Sequence, residues 1–391
     1  MATKINVRSP FYIKVSDSDL QSARLQLYIY EGTKDDTPDA EDLKYTIFKT
    51  ELEESNYVVF EISELVRDYL DIEFDGQYDS QCVWVNPVIR AFDEDGDIIY
   101  SPTVTPSDYS DQFIAFDGYG YFEEGINPEL STSYLQSNNT IFRLDDQNVR
   151  IPIFVNGTNS VTFLYKGEVK RTLIIPDILI RSTLNEIDYI TVSGSDNTDT
   201  YKQRVLADGG TLELTPCLNA FLDTIDIGLV DELYIASDSG TQIVKIVTEP
   251  CGKYEPYKVT FVNKFGVLQD IWFSLKSTES INAKSETYKA SVLDFNNLTY
   301  SISKPQMTQF HKSAKESITL NTNYLSEDYN EVIKQLMMSE QVWITKLTDE
   351  ELVLPVIPKT ESLRYKTRVN DKLVQYTIEF DYAFDKINNI R

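Results

Sequence analysis

The sequence predicts an all-β protein: two tandem copies of a β-sandwich-like module, then a C-terminal β-sandwich or barrel flanked by one α-helix. Three observations carry this. Aromatic residues form 12% of the chain, with 25 Tyr and 19 Phe, and aromatic and β-branched side chains fit the pleated surface of a sheet. Short segments alternate apolar and polar residues with a period of two, the pattern of half-buried strands. The first two thirds of the chain also reads as though written twice. Asn6-Val7-Arg8-Ser9-Pro10-Phe11 returns as Asn148-Val149-Arg150-Ile151-Pro152-Ile153, and Phe60-Glu61-Ile62-Ser63 with Tyr69-Leu70-Asp71 returns as Leu212-Glu213-Leu214-Thr215 with Phe221-Leu222-Asp223. A third echo, in the same order, pairs Phe116 to Glu124 with Val262 to Asp270.

At 391 residues the chain is too long for one core. The echoes divide it into a first module at 1–128, a second at 129–280 and a different C-terminal domain at 281–391. In the first module Phe11, Ile13 and Val15 alternate, as do Leu25, Leu27 and Ile29; Tyr57 to Ile62 and Val83 to Ala91 follow as strands. Leu65, Val66, Tyr69 and Leu70 have helical spacing behind Ser63, which suits a cap. The second copy offers strands at Ile151–Val155, Val161–Tyr165, Tyr189–Val192, Leu233–Ile235, Ile243–Val247 and Val259–Val262, with an insertion near Leu173 to Asn185 and Pro216 near the start of its short helix. The shared Asx-x-aromatic-Gly pattern of the third echo reads as a tight turn.

Beyond 281 the pattern changes. Tyr329, Val332, Ile333, Leu336 and Met337 line one face of an amphipathic helix capped by Ser326. Ser317–Leu320 precedes it as a strand. Val342–Leu347, Leu352–Val356, Leu363–Val369 and Leu373–Tyr382 follow. In the last of these Val374, Tyr376, Ile378, Phe380 and Tyr382 point one way and Gln375, Thr377, Glu379 and Asp381 the other.

Charge narrows the function. A net charge of −26, from 62 acidic and 36 basic residues, argues against a nucleic-acid partner, since phosphate binding needs clustered Lys and Arg. It also keeps copies apart until a specific docking surface overrides the repulsion. No apolar stretch approaches the roughly 20 residues that span a bilayer, and Met1 to Asn6 lacks the apolar core of a signal peptide. A soluble protein with no membrane span is expected. Cys82, Cys217 and Cys251 sit in apolar or strand-like contexts, which suits buried thiols better than a Cys217–Cys251 disulfide.

Catalytic motifs are weak, and no catalytic, cofactor-binding or metal residue is assigned. His311, the one histidine, sits in the polar stretch Phe310 to Ser313, and neither GxxxxGK[ST] nor GxGxxG occurs. Asp93-Glu94-Asp95-Gly96-Asp97 resembles the start of a calcium loop, yet the position needing a bidentate acid is Val104. The segment reads as the acidic tip of a hairpin with an Asp-Gly turn. A glycosidase needs only two carboxylates at a suitable separation, a condition that 62 acids meet by accident. Phe116 to Phe122 is the densest aromatic cluster, a candidate glycan platform, but apolar replacements in its echo favour packing. Arg364, Lys366 and Arg368 alternate along a strand as a cationic stripe that could dock an acidic neighbour or pair with Glu379 and Asp381.

Several segments resemble virion structural proteins of tailed bacteriophages: Ile5 to Ile13, the turn Phe261 to Val267, and Tyr365 through Phe380. The C-terminal order of strands, helix and strands is also similar to the sandwich-plus-helix module of phage tail-tube, distal-tail and baseplate proteins. The resemblance implies a non-enzymatic component of a tail, baseplate or connector. Such a protein would be assembled in the host cytoplasm and located in the virion, with copies of itself and other virion structural proteins as partners and no cofactor; the cationic stripe Arg364, Lys366 and Arg368 is the candidate assembly surface read from the residues. The alternative is a carbohydrate- or receptor-binding β-sandwich that meets a host glycan or receptor.

Overall fold

Alternation in the sequence becomes alternation in burial. In the computed structural model, which describes residues 4–31, 37–52, 55–78, 82–106, 112–128, 132–145, 147–154, 158–174, 187–192, 229–238, 240–250, 252–346, 352–360 and 373–386, the strand Ser22–Tyr30 buries Ala23, Leu25, Leu27 and Ile29. The residues between them are half-exposed. Its sheet runs in the order Lys4–Asn6, Phe113–Phe116, Val83–Phe92, Ser22–Tyr30, Leu43–Thr50. The first pairing is parallel and the others antiparallel. A smaller sheet of Tyr57–Glu61, Tyr12–Ser16 and Thr103–Thr105 covers it, so that Ile13, Val15 and Phe60 meet Leu25, Leu27 and Phe113 in one core. This is a β-sandwich.

Residues 140–249 repeat the order of the larger sheet and the central pair of the smaller one, while Ile98–Ile99 and Thr103–Thr105 of the first module have no counterpart among the described residues. Their larger sheet has the order Thr140–Leu144, Gly240–Glu249, Glu232–Ser237, Thr158–Tyr165, Glu168–Ile174. Again the first pairing is parallel and the rest antiparallel. Val149–Phe154 pairs with Ile187–Val192 as Tyr12–Ser16 pairs with Tyr57–Glu61, and Ile151, Ile153 and Ile190 close a second core against Val161, Phe163 and Ile235. The connection at 175–186 replaces one at 51–56, the place of the predicted insertion. The duplication is therefore one of topology, including its unusual parallel strand.

The same topology shifts the sequence alignment. Val149–Phe154 corresponds to Tyr12–Ser16, so Asn148 to Ile153 is mostly strand whereas Asn6 to Phe11 leads into one. The strand equivalent to Phe113–Phe116 is Gly240–Glu249, which moves the end of the second module from 280 to about 249. The segment 212–223 of the second echo, with Pro216, lies outside the described residues.

The third sheet explains that shift. It runs Leu268–Phe273, Tyr257–Val262, Val342–Lys346, Leu352–Pro358, Thr377–Tyr382, Met307–Asn321, Thr278–Lys289, antiparallel throughout. Strands 257–273 thus belong to the C-terminal domain. Helix α1 (Ser63–Arg67) lies in the first module, and α2 (Tyr329–Met338) packs Tyr329, Val332, Ile333 and Leu336 on the third sheet, as predicted. Its start differs, because Ser326 pairs with Leu373 in a short bridge and Asp328 takes the capping position. Ser63 is likewise the first residue of α1, its hydroxyl donating to Glu61. Phe380 and Ile378 are buried as their alternation required, while Glu379 and Asp381 pair with Lys359 at 2.9 and 3.6 Å.

A fourth core joins the modules. Trp84, Ile114 and Phe116 of the first meet Phe154 and Tyr189 of the second and Val262, Val267 and Leu268 of the third. Tyr78 donates its hydroxyl to Asp270, 2.7 and 2.6 Å from its two oxygens, and Thr260 donates to the same carboxylate at 2.7 Å. Burial pushes the Tyr78 hydroxyl well above its usual range, reinforced by the Asp270 charge. Tyr189 accepts from the Leu268 N–H at 2.9 Å, and Asp328 accepts from the Asn139 and Thr140 N–H groups, each at 3.2 Å.

At the centre two turns touch backbone to backbone. The Tyr119 N–H donates to the Lys264 carbonyl at 2.9 Å. A Cβ on Gly266 would fall 2.6 Å from the Gly118 nitrogen and 2.8 Å from two Asp117 backbone atoms, and one on Gly118 would fall 3.0 Å from the Lys264 oxygen. Gly266 has φ +73° besides, in the hairpin turn Asn263–Val267. Gly118→Ala and Gly266→Ala are each expected to destabilise the protein in urea titrations. Gly266→Ala should cost about 2–4 kcal/mol, because the left-handed backbone costs about 1–2 kcal/mol on top of an overpacking cost of about 1–3 kcal/mol. Gly118→Ala carries the overpacking cost alone, and a change within about 0.5 kcal/mol would show that the contact does not constrain the fold.

Asp117, beside this contact, is buried 3.8 Å from Arg67, while Arg8 and Arg67 both bind Glu340 after α2. Burial holds the Asp117 carboxyl above the ordinary aspartate range against the pull of Arg8 and Arg67. A raised folded-state pKa contributes stability that is present when the group is protonated and lost as pH rises through that pKa. Asp117→Asn should therefore compare more favourably with the parent protein at pH 7 than at pH 4 in thermal unfolding. The reverse order would mean that the arginine pairing outweighs desolvation.

Candidate assembly surface

The strands Thr278–Lys289 and Met307–Asn321 extend beyond the third sheet as a two-stranded arm. They pair antiparallel from Thr278↔Thr319 to Lys289↔Met307, with a shift of register between Glu286 and Thr287, and the chain returns through a small hairpin, Leu293–Asp294 against Thr299–Tyr300. The first strand has 12 residues, which at about 3.3 Å each span roughly 40 Å. Every one of them is exposed. The opposing strand stays exposed or half-exposed from Met307 to Ser313 and becomes buried at Ala314.

The root is well held. Ser317–Asn321 pairs with Thr377–Tyr382, the Lys386 N–H donates to the Ala314 carbonyl at 3.0 Å, and Lys386 Nζ meets Glu316 at 2.9 Å. Beyond the root, no residue from 282 to 313 joins a buried cluster among the described residues. An isolated two-stranded ribbon is marginal in water. Here its own support is local: Tyr288 meets Phe310 edge-on at 6.0 Å, and Asp294 accepts from the Asn296 N–H at 3.0 Å in the turn.

The arm nevertheless carries Phe295, Leu298, Tyr300 and Ile302 outward, the last 95% exposed. Grouped exposed apolar side chains mark contact surfaces. Its charge also differs from the body. Glu279 and Glu316 stand at its root; between them, from Ser280 to Lys315, stand Lys284, Lys289, Lys304, Lys312 and Lys315 against Glu286 and Asp294, a net +3, so that the rest of the chain carries −29 within a total of −26. None of these five lysines pairs with a carboxylate among the described residues.

The residues singled out from sequence fall in several places. Arg364, Lys366 and Arg368 lie outside the described residues, so the docking stripe has no structural description. Glu379 and Asp381, the alternative partners of that stripe, are taken by Lys359. His311 is exposed on the arm opposite Glu286. Asp93 to Asp97 forms the hairpin tip between Val83–Phe92 and Ile98–Ile99, with Asp93 Oδ1 accepting from the Asp97 N–H at 2.8 Å. Among the described residues no group of His, Cys, Asp and Glu is arranged to hold a metal, and no helix is long and apolar enough to cross a membrane. Cys82 is half-buried; Cys217 and Cys251 lie outside the described residues. In the aromatic cluster Phe116 and Tyr119 are buried and Phe122 is exposed.

Sequence reasoning passed over the arm. Thr278 to Lys289 is a polar strand with no buried face, and periodicity cannot reveal a strand whose two sides both meet water. Its available signals were two polar, Thr- and Ser-containing runs around the turn formers Asp294, Asn296 and Asn297, together with a local excess of lysine in an acidic chain. No family model matches the chain, and no curated protein matches it.

Excising residues 285–312 and joining Lys284 to Ser313 through Asn-Gly should leave the thermal midpoint within about 2 °C of the parent value, because the removed residues bury nothing in a core. A fall of more than about 5 °C would make the arm part of the fold rather than an appendage.

Proposed function

We propose that this protein is a non-enzymatic structural component of a tailed-phage virion, in the tail, baseplate or connector, which joins copies of itself into a ring. The observation that supports this reading most is the arm: an exposed 12-residue strand and its partner, bearing apolar side chains, on a body whose three modules share one buried junction. A rigid body with a protruding ribbon suits assembly, since edge strands and exposed apolar groups find their partners on other molecules. The duplicated sandwiches supply the scaffold.

Light scattering after size-exclusion chromatography, with negative-stain images of the same fractions, tests the reading. A discrete multiple of the chain mass and closed rings are expected, together with detection of the protein in purified particles by mass spectrometry. A monomer at high concentration that is absent from particles would overturn it.

A further inference from the structure

We infer that the arm of one copy docks on an acid-rimmed cleft in the first module of a second copy; the inference rests on the ring reading above and names its contact. The cleft, of about 600 Å³, lies between the turn Ser18–Gln21, Glu51 and Asn56 on the connection from Leu43–Thr50 in one sheet to Tyr57–Glu61 in the other, and the acidic tip Asp93–Asp95. Glu51 is satisfied internally, accepting from Gln21 at 2.9 Å and from the Asn56 N–H at 2.8 Å. Asp19, Glu94 and Asp95 are exposed and have no cationic partner among the described residues. Acids gathered without a counter-charge repel one another, and a basic partner relieves that repulsion.

The surroundings of the cleft match the arm in a second respect. Phe48 lies against Phe92, the neighbour of Asp93, at 6.2 Å, and Phe48 and Leu52, on either side of Glu51 in the chain, are largely exposed, Leu52 by 79%. Apolar side chains flanked by acids face, on the other partner, apolar side chains flanked by lysines. Leu43–Thr50 is moreover the edge of its sheet, with its outer backbone groups unpaired by another strand of the sheet, so a ribbon can lie along it. The arm's charge of +3 against −29 elsewhere makes a second copy the acidic partner that the chain itself supplies.

Two variants and their combination test the contact in the full chain. Lys284→Glu with Lys289→Glu and Lys312→Glu reverses the arm; Asp19→Lys with Glu94→Lys and Asp95→Lys reverses the cleft. Each set alone should raise the concentration at half-assembly at least tenfold in light scattering, with unchanged thermal midpoints, and the two sets combined in one chain should restore assembly. Mixing an Ile302→Cys chain with a Leu52→Cys chain should also give a bismaleimide-linked dimer between the two. Assembly of the arm-reversed protein at the parent concentration, or no recovery in the combined protein, overturns the docking contact while leaving the ring. A parent protein that stays monomeric overturns both.

Discussion

Two backbones in contact at Gly118 and Gly266 set the geometry of the whole molecule. Peptide groups can approach this closely only where no Cβ intervenes, and the approach lets the first and third modules exchange a hydrogen bond, Tyr119 to Lys264, as well as side chains. Around that point the junction core fills with Trp84, Phe116, Phe154, Tyr189 and Leu268, drawn from all three modules. Close-packed interiors do not deform continuously, so two sandwiches and a helix-covered sheet that share one core have fixed relative orientations. The polar groups inside it are satisfied in the same cross-module manner. Asp270 accepts from Tyr78 and Thr260, and Asn263 donates to the Leu135 carbonyl at 2.8 Å. Removing the Asp270 carboxylate leaves the buried Tyr78 hydroxyl without its acceptor, which costs about 1–3 kcal/mol.

Duplication supplied the two framework modules, and the junction gave them different neighbours. Both sandwiches keep the same strand order with its parallel first strand, while the residues that leave them for the junction differ: Trp84 and Phe116 from the first, Phe154 and Tyr189 from the second. The acidic tip Asp93–Asp97 extends the first module, whereas in the second only two residues separate Glu232–Ser237 from Gly240–Glu249. Equivalent folds with unlike surfaces suit the proposed connector role, in which each module would face a different environment.

How much of this could be read from the residues depended on which faces are buried. Strands with one wet face, such as Ser22–Tyr30 and Thr377–Tyr382, announced themselves by alternation, and α2 by its apolar stripe. The repeat was legible as a fact but misaligned in detail. The third echo matched Phe116–Glu124 to Val262–Asp270 because both supply an Asx and a glycine for close backbone approach; the two segments are not equivalent but touch each other. Chemistry shared through contact imitated descent. The domain boundary at 280 followed from that match, and only hydrogen bonding between Tyr257–Val262 and Val342–Lys346 moves it. The arm was illegible for the opposite reason: neither face is buried in one chain, so no period exists to find.

Placing the lysines on the arm has a physical logic that composition alone hides. A surface of net charge −29 repels its own copies over distances near the Debye length, about 8 Å at physiological salt, and so resists indiscriminate contact of its exposed apolar groups. If the arm docks as proposed, a ribbon some 40 Å long whose stretch from Ser280 to Lys315 carries +3 reaches beyond that screened layer, and attraction would act first at its tip. Apolar burial then supplies the cohesion, at about 25 cal/mol per Å² removed from water, whereas exposed ion pairs contribute roughly 0–1 kcal/mol each. In the proposed contact charge would select the partner and orientation, and Phe295, Leu298 and Ile302 would hold what charge has selected.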